Sequence, residues 1–318
     1  MRRWPAYPFA RIRAKAKGAQ ARLHARRAAP ARWLGMALGL AALAGPARAI
    51  DLLPFDYVPA PAGTTALLGY YLYGDRGRFD SSGFGKVPNS GVETHIAAAR
   101  LTHWNEIAGV PVAAQLILPW GDFRNGRIGG AALNEPTGFF DPTLTLAFWP
   151  LSQPEERRWI AVANYLSFPL GEYHPGDPLN TGENRWKNDL QVGFIQGLPG
   201  GFTLDLAADL IVYGDNDRAG TGRQTLTQKP SFEAYAWLAY NLDPGTWGAI
   251  GWAGAFGGRQ ELAGAPNGLK TEFQQVRAAF GAFVRPDLQV VASFGHDYHV
   301  EGGFGQDVAI QLRILKIF

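Results

Sequence analysis

The 318-residue sequence contains no cysteine, which excludes disulfide bridges, cysteine-ligated zinc, iron–sulfur clusters and thiol nucleophiles. Charged residues are also scarce, at 18%, compared with about 25% in a typical soluble domain. Glycine is abundant, with 40 residues in the chain, and glycine is costly inside helices. These proportions argue against a mostly helical protein.

Acidic residues are absent from the first 49 positions, which hold eleven of the 30 lysines and arginines. An apolar run from Trp33 to Ala44 follows this basic stretch, and the triplet Ala47-Arg48-Ala49 comes shortly after it. A basic region, a short apolar core and an A-x-A site together predict a secretory signal peptide over residues 1–49, removed after Ala49. The alternative is a membrane anchor, but the apolar run is shorter than the roughly 20 residues that span a bilayer as a helix.

The positive charge of the whole chain, +3 with a pI near 9.1, comes from this predicted signal. Residues 50–318 contain 19 basic and 27 acidic residues, a net charge of −8. This acidic remainder gives no compositional support for a nucleic-acid partner. It also holds no stretch of 18 consecutive apolar residues, so no transmembrane helix is predicted there.

Residues 50–318 show apolar and polar residues in alternation, with a period of two. In FTLDLAADLIVY, from Phe202 to Tyr213, one face carries mainly large apolar residues and the other carries Asp205 and Asp209. Most such segments have 10–14 residues, which suits a tilted membrane-spanning strand. We count twelve: 64–73, 91–104, 110–120, 141–150, 158–169, 184–196, 202–213, 229–241, 246–256, 270–284, 287–298 and 306–318.

Short turns and long loops alternate between these segments, and the long loops are rich in Gly, Asp, Asn and Pro. An even number of amphipathic strands with this loop asymmetry is typical of a bacterial outer-membrane β-barrel. Hydrocarbon leaves no backbone group without a partner, so a sheet crosses a membrane only as a closed barrel. We therefore predict an all-β fold: a single-chain antiparallel transmembrane barrel of about 12 strands over residues 50–318, in the outer membrane of a Gram-negative bacterium. The alternative is a secreted soluble sandwich or propeller.

Aromatic residues near the segment ends are expected to form the interfacial girdles of the barrel. The final residue, Phe318, closes an alternating strand and resembles the C-terminal assembly signal of outer-membrane barrels. Outer-membrane lipid and the barrel-assembly machinery, through Phe318, are accordingly expected partners. The girdle candidates are Tyr70, Tyr71, Tyr73, Trp104, Trp120, Phe148, Trp149, Trp159, Phe168, Trp186, Tyr240, Trp247 and Tyr298.

Between Tyr165 and Gly220 the sequence contains a series of turn and loop motifs, and a strand entry, Gly138 to Leu146, precedes them. The motifs are Pro169 and Gly171, Asn184-Arg185-Trp186, Pro199-Gly200-Gly201 and Gly214-Asp215-Asn216-Asp217. They resemble those of the MetA-pathway of phenol degradation family of outer-membrane proteins. The resemblance extends over about Gly63 to Phe318, with departures at Phe140 and Leu170. It implies an outer-membrane channel or transporter linked to uptake of aromatic or other hydrophobic compounds. The motifs are structural and identify no substrate.

Histidine and serine residues near the end of segment 287–298 are the candidates for chemistry. His296 and His299 could hold a metal, and Ser293 could pair with His296 as in outer-membrane lipid hydrolases. Residues three apart on a strand point to opposite faces, so neither pair converges on a regular strand. We therefore predict no enzyme activity, no catalytic or metal-binding residue and no cofactor, and interpret both histidines as solvated loop residues.

The residues predicted to face the lumen are the informative ones. Their charges, three positive and four negative, predict no strong ion selectivity. Tyr235 and Trp237 could offer stacking surface to an aromatic solute, or could fill a narrow lumen. We predict passive transport of small hydrophobic or aromatic, phenol-like solutes, with a structural or surface-interaction barrel of closed lumen as the alternative. The predicted pore-lining residues are Lys187, Asp189, Asp205, Asp209, Glu233, Tyr235, Trp237, Gln275, Arg277, Gln289 and Arg313.

Overall fold

The computed structural model describes residues 52–318, so the predicted signal peptide lies outside the described part of the chain. Within this part, twelve long strands form the predicted antiparallel barrel. In chain order they are β1 (Thr65–Arg76), β2 (Gly91–Ile107), β3 (Val110–Ile128), β4 (Thr143–Gln153), β5 (Arg158–Ser167), β6 (Lys187–Gly197), β7 (Phe202–Tyr213), β8 (Ser231–Asp243), β9 (Thr246–Gly257), β10 (Glu272–Arg285), β11 (Leu288–Glu301) and β12 (Val308–Ile317).

The barrel closes because β1 pairs on one side with β2 and on the other with β12. Tyr71 lies opposite Ala97 of β2 and opposite Leu312 of β12. Every other strand pairs with its neighbours in the chain. Closure leaves no strand edge exposed to lipid, as a membrane-spanning sheet requires. Among residues 52–318, no helix is long and apolar enough to cross a membrane.

Tight turns join the strands at one end of the barrel. Between β8 and β9, Pro244 and Gly245 make a two-residue connection in which Gly245 has a φ of 95°. Proline followed by a glycine with positive φ is the combination that a type II turn requires. Two short 3₁₀ turns, Pro154–Glu156 and Pro199–Gly201, connect β4 to β5 and β6 to β7 at this same end.

The long connections at the other end contain more regular structure than their Gly-, Asp- and Asn-rich composition predicts. The loop expected from Gly121 instead continues β3 as far as Ile128. Two small sheets extend the hairpins beyond the barrel. Their strands are Arg78–Ser81, Gly85–Val87 and Gly303–Gly305 in one sheet, and Asn216–Ala219, Gln224–Gln228, Gln260–Leu262 and Ala265–Pro266 in the other; Ala131–Ala132 and Thr137–Phe139 pair with β3.

Five of the predicted girdle residues lie inside the barrel instead of at the lipid interface. Tyr70, Trp149 and Trp247 are at most 7% exposed, and Trp104 and Trp159 pack against the buried residues of the interior. Neighbouring residues of a strand point to opposite faces, so closeness to a strand end does not decide which face an aromatic ring takes. Phe148, the neighbour of Trp149, is 44% exposed on the outer face.

Candidate functional site

The eleven residues predicted to line a pore lie on the inner face of the wall. Nine of them are buried, and Lys187 and Asp189 are partly exposed. Their outward neighbours are large apolar side chains such as Leu206 and Leu210 of β7, which are 36% and 50% exposed. The period-two alternation therefore correctly predicts which residues face the lumen and which face the lipid, because each strand is regular through the membrane.

A chain segment that precedes β1 fills part of the interior at the level of these residues. We call residues 52–58 the inserted segment. Leu52, Leu53 and Tyr57 are 5%, 1% and 4% exposed, because they are enclosed by wall residues of several strands. Leu52 and Tyr57 belong to an apolar cluster that includes inward residues of β3 to β10. No alternation pattern in the sequence predicted this segment.

Indole and hydroxyl groups of the wall hold the inserted segment at both of its ends. Trp149 donates its Nε1 hydrogen to the carbonyl oxygen of Tyr57 at 2.8 Å, and Trp237 donates to that of Leu52 at 3.1 Å. The Tyr57 hydroxyl donates to Gln191 and lies 3.2 Å from the hydroxyl of Tyr165. Trp237 thus binds a segment of its own chain instead of facing an open pore at this level.

The four predicted pore-lining acids lie on one side of the inner wall together with Lys187, although the numbers of positive and negative residues nearly balance. A further inward acid, Asp297 of β11, accepts a hydrogen bond from Gln275. Asp189, Asp205, Asp209 and Glu233 project from three consecutive strands, β6 to β8, whereas arginines project from β2, β10 and β12. The arginines are Arg100, Arg277 and Arg313. This arrangement creates an electric field across the interior that the net charge alone does not reveal.

The inserted segment lies between these two charged walls and bonds to both. Asp56 accepts a hydrogen bond from Arg313 at 2.5 Å, and both side chains are almost buried. The backbone N–H of Phe55 donates to Asp205 at 2.8 Å, and Asp205 is 1% exposed. Moving the segment away would leave the buried Arg313 charge without compensation, which is costly. The Asp56–Arg313 contact therefore fixes the position of the segment.

A cavity of about 340 Å³ lies at the short-turn end of the barrel, between the inserted segment and the wall. Phe55, Trp104, Trp247 and Phe283 contribute its aromatic lining, and Leu68, Leu315 and Ile317 add aliphatic surface. Two of the predicted pore residues, Gln289 and Arg313, also line it, together with Arg100. Short turns of outer-membrane barrels face the periplasm, so this cavity is on the periplasmic side.

A second internal space, of about 40 Å³, is lined by Leu53, Gln275, Arg277 and Ser293. The His296 ring does not face Ser293; its Nδ1 lies 2.8 Å from the carbonyl oxygen of Asp307. Within residues 52–318, His296 is therefore not positioned to act as a base for Ser293. The interpretation of the two histidines as loop residues was wrong, because both lie within β11, which extends to Glu301.

His299 belongs to a group of possible metal-ligating side chains at the long-loop end, together with Glu272 and Glu301. The ammonium group of Lys270 lies 2.7 Å from a carboxylate oxygen of each glutamate. A metal ion there would have to displace this internal cation. The group was not apparent in the sequence, because its members come from the ends of two neighbouring strands.

Buried charges also join the long loops. Glu183 forms ion pairs with Arg185 at 2.7 Å and with Lys187 at 3.0 Å. Arg185 also donates to Gln228, whose own amide donates to Thr271. Burial raises the pKa of Glu183, but Lys187 and Arg185 outweigh it and lower this pKa to about 2. Lys187, predicted to line the pore, therefore serves as an ion-pair partner at the extracellular end.

Arg100 is the principal wall residue that the sequence analysis missed. Its position in the alternating series Ala98, Arg100, Thr102 is the signal that could have identified it, because these residues share the inner face of β2. The inserted segment had a weaker signal, since DLLPFDYVPAPAG, residues 51–63, contains three prolines and no alternation. Such a stretch is indistinguishable by pattern from a linker.

Comparison with solved structures identifies a close match in fold. The COG4313 outer membrane channel from Pseudomonas putida F1 is 29% identical, with a TM-score of 0.79 over 84% of this chain and 100% of the other. The translocator domain of the autotransporter NalP from Neisseria meningitidis is 10% identical, with a TM-score of 0.49 over 81% and 90% of the two chains. The beta domain of the Bordetella autotransporter BrkA is 8% identical, with a TM-score of 0.48 over 80% and 98%.

Comparison with curated proteins gave no significant match. The family model described as "Putative MetA-pathway of phenol degradation" matches residues 76–314, which include β2 to β11 completely and most of β12. This agrees with the resemblance seen in the turn motifs, and the barrel is that of an outer-membrane channel. The chain is therefore a member of this phenol-degradation family of outer-membrane proteins.

Proposed function

We propose that the protein allows small hydrophobic or aromatic solutes to cross the outer membrane passively. The supporting observation is the cavity at the periplasmic end, whose aromatic lining from Phe55, Trp104, Trp247 and Phe283 gives an apolar solute a surface to contact. Aromatic rings bind apolar and aromatic molecules through area burial and offset or edge-to-face contacts. The solved relative is itself described as an outer membrane channel.

Uptake into liposomes tests this proposal. Liposomes containing the purified protein should take up phenol or toluene faster than empty liposomes, with little acceleration for a sugar of similar size. Equal rates for the aromatic solute with and without the protein would refute the proposal. A scrambled-orientation control is unnecessary, because passive flux through a channel does not depend on which way the barrel inserts.

A second candidate is a barrel with a permanently closed lumen that serves a structural or surface-binding role. The inserted segment favours it, since Tyr57 and Leu52 are anchored to Trp149 and Trp237 and fill the middle of the interior. Under this candidate the liposomes would take up neither aromatic solutes nor ions. Binding to a partner would then depend on the long loops.

Two further expectations accompany the proposal. Residues 1–49 are proposed to direct export and to be removed after Ala49, which N-terminal sequencing of the membrane-inserted protein tests. The strand ending in Phe318 is proposed to engage the barrel-assembly machinery. Deletion of Phe318 should then reduce the amount of protein in the outer membrane, and unchanged insertion would contradict this assignment.

A further inference from the structure

The cavity at the periplasmic end is not uniformly apolar. Its outer part is lined by Trp104, Phe283 and Ile317, which lie near the ends of β2, β10 and β12. Its inner part is lined by Arg100 and Arg313, which project from the two strands that flank β1. An apolar chamber that ends in guanidinium groups is complementary to an amphipathic anion.

The two arginines differ in how their charges are balanced. Arg313 pairs with Asp56 and also donates to Gln289 at 3.1 Å. The Nε of Arg100 has no hydrogen-bond partner among residues 52–318, and the phenol group of Tyr70 lies next to this guanidinium. Arg100 is 7% exposed. A buried guanidinium donor without a partner is costly, so the chemistry of this position favours a bound anion.

The charge count of the lining limits the ligand. The charged residues that line the cavity are Arg100, Arg313 and Asp56, which leave one positive charge in excess. One excess charge matches a monoanion better than a dianion such as a phosphate monoester. Arginine presents a planar fork of donors that fits a carboxylate through two parallel hydrogen bonds.

We propose that this cavity binds an organic monocarboxylate with an apolar body. The carboxylate lies against Arg100, and the apolar body lies between Trp104, Trp247 and Phe283. Both aromatic acids and medium-chain aliphatic acids have this chemistry. The assignment rests on the proposed function, because it names the class of solute that the same cavity accepts.

Tryptophan fluorescence tests the proposal directly, because Trp104 and Trp247 both line the cavity. The purified full-length protein would be titrated with benzoate and with octanoate, and separately with benzamide and octanamide. Each acid should bind at least tenfold more tightly than its amide, since charge-assisted hydrogen bonds are about twice as strong as neutral ones. Whichever of benzoate and octanoate binds more tightly shows whether the apolar body is aromatic or aliphatic. Equal affinities for acids and amides would overturn the proposal without the need for any variant.

Substitution of Arg100 locates the site. In Arg100→Met, acid binding should fall at least tenfold, while amide binding changes little. Arg158→Met is the matched control, because Arg158 is at the same end of the barrel but pairs with Glu156 and Gln196 outside the cavity. Arg100→Lys keeps the charge and should still prefer acid to amide, which preserves the test if Arg100→Met does not fold. Undiminished acid binding in a folded Arg100→Met protein would overturn the assignment.

Liposome uptake separates this inference from the proposed function. If phenol crosses the membrane but acids bind no better than amides, the carboxylate site is wrong and the channel proposal stands. If acids bind preferentially but no solute crosses, the site stands and the channel proposal is wrong.

Discussion

The position of Tyr57 offers the sharpest test of how the inserted segment is held. The Tyr57 ring lies against the backbone of Gly193 in β6, where a glycine leaves room for it. A Cβ atom at Gly193 would overlap the ring and lie 2.6 Å from its Cε2 atom, whereas carbon atoms in contact are normally about 3.5–4.0 Å apart. Gly193→Ala should therefore displace the ring by about 1 Å or more.

The displacement cannot be absorbed by a small rotation, because the residue is held at other points. Its carbonyl oxygen accepts from Trp149, and its hydroxyl donates to Gln191. Overpacking at a well-packed site costs about 1–3 kcal/mol. A cost of that size raises the ratio of displaced to seated segment by about 5- to 150-fold.

Two measurements report the displacement. Conductance in planar bilayers should increase in Gly193→Ala, since the segment occupies the interior. A Val58→Cys substitution creates the one thiol in the chain, and its reaction with a membrane-impermeant maleimide should accelerate when Gly193→Ala is added. Gly69→Ala is the matched control, because nothing lies within 4 Å of a Cβ atom at that position. Identical conductance and labelling in the Gly193 and Gly69 variants would refute the reasoning.

Three further outcomes follow from the structure. Glu183 has a folded-state pKa of about 2 and an ordinary value of 4.5. Its contribution to the stability of the folded protein is therefore present above about pH 4.5 and lost as the pH falls toward 2. The thermal unfolding temperature of the wild type should fall over this range, and that of Glu183→Gln should lack this fall. Trp149→Phe should lower the free energy of unfolding by about 1 kcal/mol through loss of its hydrogen bond, measured by urea titration; no change would mean that this bond does not anchor the segment. Leu206→Arg, on the lipid face of β7, should cost about 2–4 kcal/mol, whereas Leu242→Arg near the short-turn end should cost far less; equal costs would contradict the assigned membrane position.

The architecture was predictable because its signal is repeated in every strand. Each strand alternates apolar and polar residues, and the short and long connections alternate as well, so one misread segment does not change the strand count. The inner and outer faces of individual strands were equally predictable. Asp205 and Asp209 lie inside, and Leu206 and Leu210 lie outside. Where the prediction failed, as for Trp149 and Trp247, it used position along the strand when the parity of the residue decides the face.

The contents of the interior were not predictable in the same way, although one signal existed. A twelve-stranded barrel is wider than the eight-stranded barrels that side chains alone fill. Several inward residues are small, including Ala161 and Ala163 of β5 and Ala253 and Ala255 of β9, and all four are at most 1% exposed. Small side chains that are nevertheless buried imply that something else occupies the space in front of them. That occupant is the inserted segment, through Leu52 and Tyr57.

The charges of the inner wall show why a residue count is a poor guide to a barrel interior. Three positive and four negative residues predict a nearly neutral lumen, yet these four acids all lie on β6–β8, whereas Arg100, Arg277 and Arg313 lie on β2, β10 and β12. Asp56 then neutralises Arg313, whereas the Nε of Arg100 has no hydrogen-bond partner in the part of the chain that the structure describes. The strands that carry Arg100 and Arg313, together with Asp56 of the inserted segment, thus form one site with a single excess positive charge. Selectivity in this protein is therefore expected to depend on Arg100 more than on the net charge of the wall.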